Sequence, residues 1–155
     1  MKLEDAIKST RFADEKHRAT VNLIYTAYCL KSNLSVVLKE IDLTSEQHNV
    51  LRILKGSHPK SMCVKDIASR MVEKSSNVPR IVDRLVAKKL VKRHQSKEDK
   101  RETLIVLTEK GIDMTQKARE LVDSHTGNSV NLSEEEATTL NTLLEKLREP
   151  IQQTN

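Results

Sequence analysis

Apolar residues recur every three or four positions over residues 4–40, with Ile24, Ala27, Leu30 or Lys31, Leu34, Leu38 and Ile41 in the repeat and Phe12, Tyr25 and Tyr28 adding bulk, which predicts one long amphipathic helix. Thr44 and Gln47 stand at capping-box spacing and restart the helix. The new helix buries Val50, Leu51 and Leu54 and ends near Lys55, ahead of Gly56 and Pro59. A short helix over 62–71 turns Val64, Ile67, Ala68 and Met71 inward.

The stretch from Ser75 to Leu90 has two faces at helical period. Val78, Ile81, Val82 and Leu85 form an apolar stripe, and Asn77, Arg80, Arg84 and Lys88 form a polar, basic one. With Ser75 or Ser76 as the N-cap, Pro79 falls at the third or fourth helical position, where at most one internal hydrogen bond is at stake. After Leu90 the period changes to two. Residues 91–95 and 103–107 make a hairpin whose tip, 96–101, is too polar to bury, and Thr103, Ile105 and Leu107 share one face. Thr108 is placed to cap a helix through Met114, Ala118, Leu121 and Val122, which Thr126, Gly127 and Asn128 are expected to break. Ser133 and Glu136 form a second capping box, opening a last helix through Leu140, Leu143, Leu144, Leu147 and Ile151 that ends around Pro150.

Two short helices followed by a basic hairpin predict a mainly α chain with a small β-hairpin wing, a winged helix-turn-helix. The N- and C-terminal helices carry more apolar stripe than the central module can cover, which favours a two-fold dimer formed by those helices. Composition narrows the class further. The chain has 155 residues, 2% of them aromatic, and a formal charge of +5, but that charge is local. Residues 60–101 hold 13 Lys and Arg against five Asp and Glu, a net of +8; the rest, with 14 against 17, is −3. A local excess of this kind marks a face for a polyanion. No apolar run is long enough to span a bilayer and the N-terminus lacks a signal-peptide pattern, so a cytoplasmic protein with reduced Cys29 and Cys63 is expected. The five histidines fall in no nucleophile, metalloprotease or phosphate-loop pattern, which argues against an enzyme.

Leu43 to Leu51, Asp66-Ile67-Ala68, Arg80 to Arg93, Asp99-Lys100-Arg101 and Leu107 to Gly111 resemble, in order and spacing, the MarR family of bacterial transcription regulators. The resemblance implies a single domain over 1–155 that works as a homodimer without a cofactor. In it, 1–42 and 112–155 are dimerisation helices and 43–111 is the DNA-binding module. Helix 75–90 would enter the major groove and the wing tip the adjacent minor groove of double-stranded DNA. Arg101 matches the family's wing arginine, and Asp99 the acid that pairs with it. Two positions depart from the pattern: Pro79 stands where a threonine is frequent, and Lys89 where a glycine commonly ends the recognition helix.

The chemistry of the side chains divides the work. Asn77 suits adenine and Arg80 guanine at base edges, with Ser75 and Ser76 beside them in the first turn. Arg101 suits a narrow minor groove. Arg84, Lys88, Lys92, Arg93, Lys97 and Lys100 are assigned to phosphates. The resemblance also implies release by a small aromatic or phenolic acid, for which Arg11, Phe12, Tyr25 and Tyr28 are candidate lining residues. Alternatives are a redox response through Cys29 or Cys63, a metal response drawing on Cys29, Glu40 or His125, and a winged helix that binds proteins.

Overall fold

The computed structural model of the chain describes residues 1–74 and 77–152, apart from the side chains of residues 128, 129, 150 and 152. The elements in order are α1 (Leu3–Ile7), α2 (Glu15–Lys39), α3 (Ser45–Ser57), β1 (Met62–Cys63), α4 (Val64–Arg70), α5 (Val78–Ala87), β2 (Val91–Gln95), β3 (Thr103–Leu107), α6 (Glu109–Ser129) and α7 (Glu134–Gln152). They fall into two units, Met1–Val122 and Asp123–Asn155.

The helix expected over 4–40 is two helices. Lys8 takes a left-handed conformation (φ 53°) and closes α1, and Asp14 opens α2 by accepting the His17 N–H at 2.7 Å. Arg18 on α2 reaches back to Glu4 on α1 at 2.8 Å. At the start of α3 the capping box is complete: the Gln47 N–H donates to Thr44 Oγ1 (3.2 Å) and the Thr44 N–H donates to Gln47 Oε1 (3.3 Å). This helix runs past Lys55 to Ser57 and carries Gly56 in its last turn.

A strand stands where the next helix was expected to begin. Met62 and Cys63 are extended and pair with Ile105 and Leu104 of β3, and only then does α4 start, with Cys63 as its N-cap. β2 pairs with the other side of β3, from Val91 opposite Leu107 to Gln95 opposite Thr103. The sheet is antiparallel with order β1-β3-β2, so the middle strand is the last one in sequence.

α5 is shorter than the 75–90 expected. It begins at Val78 with Asn77 as the N-cap; Ser75 and Ser76, the expected N-cap candidates, lie outside the described residues. Pro79 is consequently in the first turn, where its missing N–H would have had no partner in the helix. The helix ends in a Schellman motif: the Leu90 N–H donates to Leu85 O (3.0 Å) and the Lys89 N–H to Val86 O (2.8 Å). Lys89 has φ 61°, so a lysine here holds a left-handed position of the kind that glycine adopts most easily.

The core of the first unit lies among α3, α4, α5 and the sheet. Leu51, Leu54, Ile67, Leu85, Leu90 and Ile105 are fully buried there, each worth about 1.5–3 kcal/mol of removal from water. α2 contributes Leu38 and α6 contributes Ala118. Thr108 ties the start of α6 to the end of α5, since its hydroxyl donates to Lys89 O (2.8 Å) and Leu90 O (3.1 Å) and accepts the Gly111 N–H (3.0 Å).

The expected break at Thr126, Gly127 and Asn128 does not occur, and α6 continues to Ser129. One glycine costs a helix only about 1 kcal/mol, and no proline accompanies it. In the second unit Ser133 and Glu136 make the capping box in both directions (3.2 and 2.8 Å). α7 then runs through residue 150 to Gln152, with Leu140, Leu143, Leu147 and Ile151 exposed.

Candidate nucleic-acid interface

The two faces of α5 separate as its periodicity requires. Val78, Ile81, Val82 and Leu85 are buried against the core, and Pro79, Arg80, Asp83 and Arg84 face outward. Arg80 and Arg84 are one turn apart, and among the described residues neither side chain has a hydrogen bond or salt bridge. Like charges at that spacing destabilise a helix slightly, so the pair gains from an external anion. Asn77 precedes them at the N-cap, where its side chain makes no capping bond.

The wing tip is folded by its own side chains. Ser96 is buried, and its hydroxyl accepts the N–H groups of Glu98 (3.2 Å) and Asp99 (3.3 Å). The Ser96 N–H donates to Glu102 O and the Glu102 N–H to Asp99 O, both at 2.9 Å, which closes the turn. Asp99 does pair with Arg101: Oδ1 accepts the Arg101 backbone N–H (2.9 Å) and Nε–H (3.3 Å). The Arg101 side chain is nevertheless 93% exposed, so Asp99 orients it without covering it. Lys97 and Lys100 flank it, and Lys92 is exposed on β2.

Two residues expected on phosphates are engaged inside the fold instead. Arg93 on β2 pairs with Asp83 on α5. Lys88, which follows the last residue of α5, turns away from Arg80 and Arg84 to Asp42 and Gln47 at the start of α3, and its side chain is only 29% exposed. The stripe read at positions 77, 80, 84 and 88 therefore loses its last member, because the helix stops before Lys88 and the Schellman turn redirects the chain.

A cavity of about 530 Å³ lies beside this module in the first unit, lined by Tyr28, Leu30 and Leu34 of α2, His48 and Arg52 of α3, and Val72 in the α4–α5 connection, among others. Of the four candidate ligand residues only Tyr28 lines it. Arg11 and Phe12 lie in the α1–α2 connection, where the Phe12 ring meets His17 edge-on at 6.0 Å, and Tyr25 is half-buried beside Cys29. Lys31 and Glu73 form an ion pair across the cavity rim at 2.8 Å.

Sequence reasoning missed His48. The residue is 5% exposed and its Nε2 has no hydrogen-bond partner among the described residues, while burial and then the neighbouring Arg52 hold its pKa below the ordinary imidazole value, which favours the neutral ring. Its place three residues before Leu51, in the apolar repeat of α3, is the sequence signal that could have pointed to burial. Among the described residues no three His, Cys, Asp or Glu side chains gather as a metal site would require, and no helix is long and apolar enough to cross a membrane.

A helix-turn-helix (α4, α5) followed by a β-hairpin packed on its own third strand defines a winged helix-turn-helix protein. Residues 43–103 match the model of the MarR family. Over those residues the chain is similar to the MarR family of transcriptional regulators. A cysteine-to-serine mutant of MarR from E. coli, complexed with operator DNA, is 25% identical with a TM-score of 0.75, covering 89% of this chain and 99% of that one. AbsC, a MarR family transcriptional regulator from Streptomyces coelicolor, is 23% identical with a TM-score of 0.81 over 92% and 99% of the two chains. The organohalide-sensing regulator RdhR-CbdbA1625 in its 2,4-dichlorophenol-bound form is 24% identical with a TM-score of 0.76 over 87% and 80%. The comparison with curated proteins gives no match.

Proposed function

We propose that this chain is a sequence-specific repressor that binds a pseudo-palindromic operator as a homodimer and is released by a small aromatic or phenolic acid. The observation that carries the DNA-binding part is the pair of exposed arginines on α5, Arg80 and Arg84, unpaired among the described residues, together with a wing tip whose Arg101 side chain is 93% exposed. In this reading 43–111 is the DNA-binding module. Arg80 reads guanine and Asn77 adenine in the major groove. Arg101 enters the neighbouring minor groove, and Arg84, Lys92, Lys97 and Lys100 hold phosphates.

Residues 1–42 and 112–155 supply the dimer. Support comes from the apolar side chains left in water on α2 (Ile24, Tyr28, Leu30) and on α7 (Leu140, Leu143, Leu147), more than a monomer normally exposes. A two-fold pair of modules then calls for half-sites about one helical turn apart. The test is selection of bound duplexes from a randomised pool, followed by affinity across a salt series. The expected product is a two-fold symmetric site bound by two chains, and Lys97→Ala should weaken binding to all duplexes and lower the log–log salt slope by about one. Recovery of no preferred sequence, or one chain per site, would overturn the reading.

The cavity among α2, α3 and the α4–α5 connection supports ligand release. Its walls are mainly apolar, Arg52 supplies a cation without a partner among the described residues, and His48 offers an unsatisfied nitrogen. An acid held there would favour whichever arrangement of the modules binds it best, which is a population shift. Titration with 2,4-dichlorophenol should release the selected duplex, and Arg52→Ala should raise the concentration needed. If saturating amounts left DNA affinity unchanged for phenols and benzoates alike, the ligand reading would be lost while the DNA-binding one stood.

A further inference from the structure

We propose that Lys88 is a positioning residue: it ties the C-terminal end of α5 to the α2–α3 junction, sets the tilt at which α5 is presented, and makes no phosphate contact itself. This role presupposes that α5 reads DNA, as proposed above.

An ammonium group has three N–H donors and no acceptor. Around Lys88 Nζ stand three acceptors: the backbone oxygen of Asp42, Asp42 Oδ2 at 3.0 Å and Gln47 Oε1 at 3.3 Å. No donor is left over for a phosphate. The stem runs inward as well, which leaves the side chain 29% exposed against 93% for Arg101.

Both ends of the tie are fixed. Asp42 sits in a left-handed conformation (φ 56°), and the junction is closed by the Asp42 N–H to Lys39 O (3.1 Å) and the Leu43 N–H to Leu38 O (3.0 Å). Gln47 Oε1 is already oriented by the capping box, since it also accepts the Thr44 N–H. On the α5 side, Lys110 Nζ donates to Lys88 O (3.1 Å), and Lys89 and Leu90 are bound by Thr108. α5 spans ten residues, roughly 15 Å, so a tilt of about 5° at its end moves the far end by about 1 Å. Recognition geometry tolerates only about 0.5 Å.

Two variants test this against the phosphate role, using the full chain, the duplex selected by the unmutated protein and a mixed-sequence duplex lacking that site. Lys88→Met is expected to lower affinity for the selected duplex about tenfold, to change affinity for the mixed duplex less than twofold, and to leave the salt slope unaltered. Asp42→Asn, which keeps a residue tolerant of the left-handed conformation, should act in the same direction by about threefold, and the double variant should be no worse than Lys88→Met alone. A flattened salt slope and an equal loss on both duplexes for Lys88→Met would overturn the proposal. So would tighter binding by Asp42→Asn, the result expected if that carboxylate merely competes with DNA for a phosphate-binding lysine, or no change in either variant. Thermal melts of each variant confirm that the chain is folded at the assay temperature. Failure of α5 itself as the reading helix would show separately, as unchanged base preference in Arg80→Ala.

Discussion

Gly111→Ala is expected to destabilise the first unit by about 3 kcal/mol or more, read as a loss of urea midpoint or melting temperature. A Cβ at Gly111 would lie 1.9 Å from Leu90 O and 2.9 Å from its carbonyl carbon, with Leu107 Cδ2 at 3.2 Å on the other side. The obstacle is backbone, not the free end of a side chain, and it is the same carbonyl that accepts the Thr108 hydroxyl. Relief would require moving the Schellman turn that ends α5 away from the start of α6. Gly56→Ala is the control. A Cβ there meets nothing within 4 Å, and in the last turn of α3 the change should be neutral or stabilise by about 0.5–1 kcal/mol. Similar melting curves for the two variants would show that the close approach of α6 to Leu90 does not exist.

The largest effect on recognition is expected from Arg80→Ala, at about 1–3 kcal/mol on the selected duplex, with relaxed preference at one base pair of each half-site. Loss on a mixed duplex should be small, because Arg80 is assigned to a base edge. Arg80→Lys makes the test sharper. It retains the charge but not the planar fork, so base preference should fall almost as far as with alanine while the salt slope stays put. Equal loss of affinity on every sequence would move Arg80 to the phosphates.

Those predictions draw on features that differ in how far the sequence alone reveals them. Capping is chemistry local to three or four residues, and both boxes, Thr44 with Gln47 and Ser133 with Glu136, are made as their spacing predicts. The buried stripe of α5 follows from periodicity in the same way. The break between α1 and α2 was hidden because it depends on a left-handed Lys8, a residue with no preference for that conformation. β1 is two residues long, too short to have a period, and exists only because β3 offers it an edge. Gly127 and Asn128 suggested a stop that the helix overrides. In the basic set, residue type gave the right neighbourhood but not the direction of each side chain. Arg80, Arg84 and Arg101 point outward, whereas Lys88 and Arg93 find partners distant in sequence, Asp42 and Asp83. The cavity and the unsatisfied nitrogen of His48 depend on α2, α3 and the α4–α5 connection meeting in space, which no single stretch of residues encodes.

The placement of β3 in the middle of the sheet has a consequence for solubility. It leaves β2 as an outer strand of five residues whose far side pairs with no other strand among the described residues, the kind of open ladder on which a second chain could add and start an aggregate. Lys92 and Arg93 stand on that strand, and its exposed run is Lys92, Arg93, His94 and Gln95. The charge of Lys92, which unlike Arg93 has no acid paired with it among the described residues, opposes the approach of two such margins, so protection against self-stacking draws on a side chain proposed above to hold a phosphate.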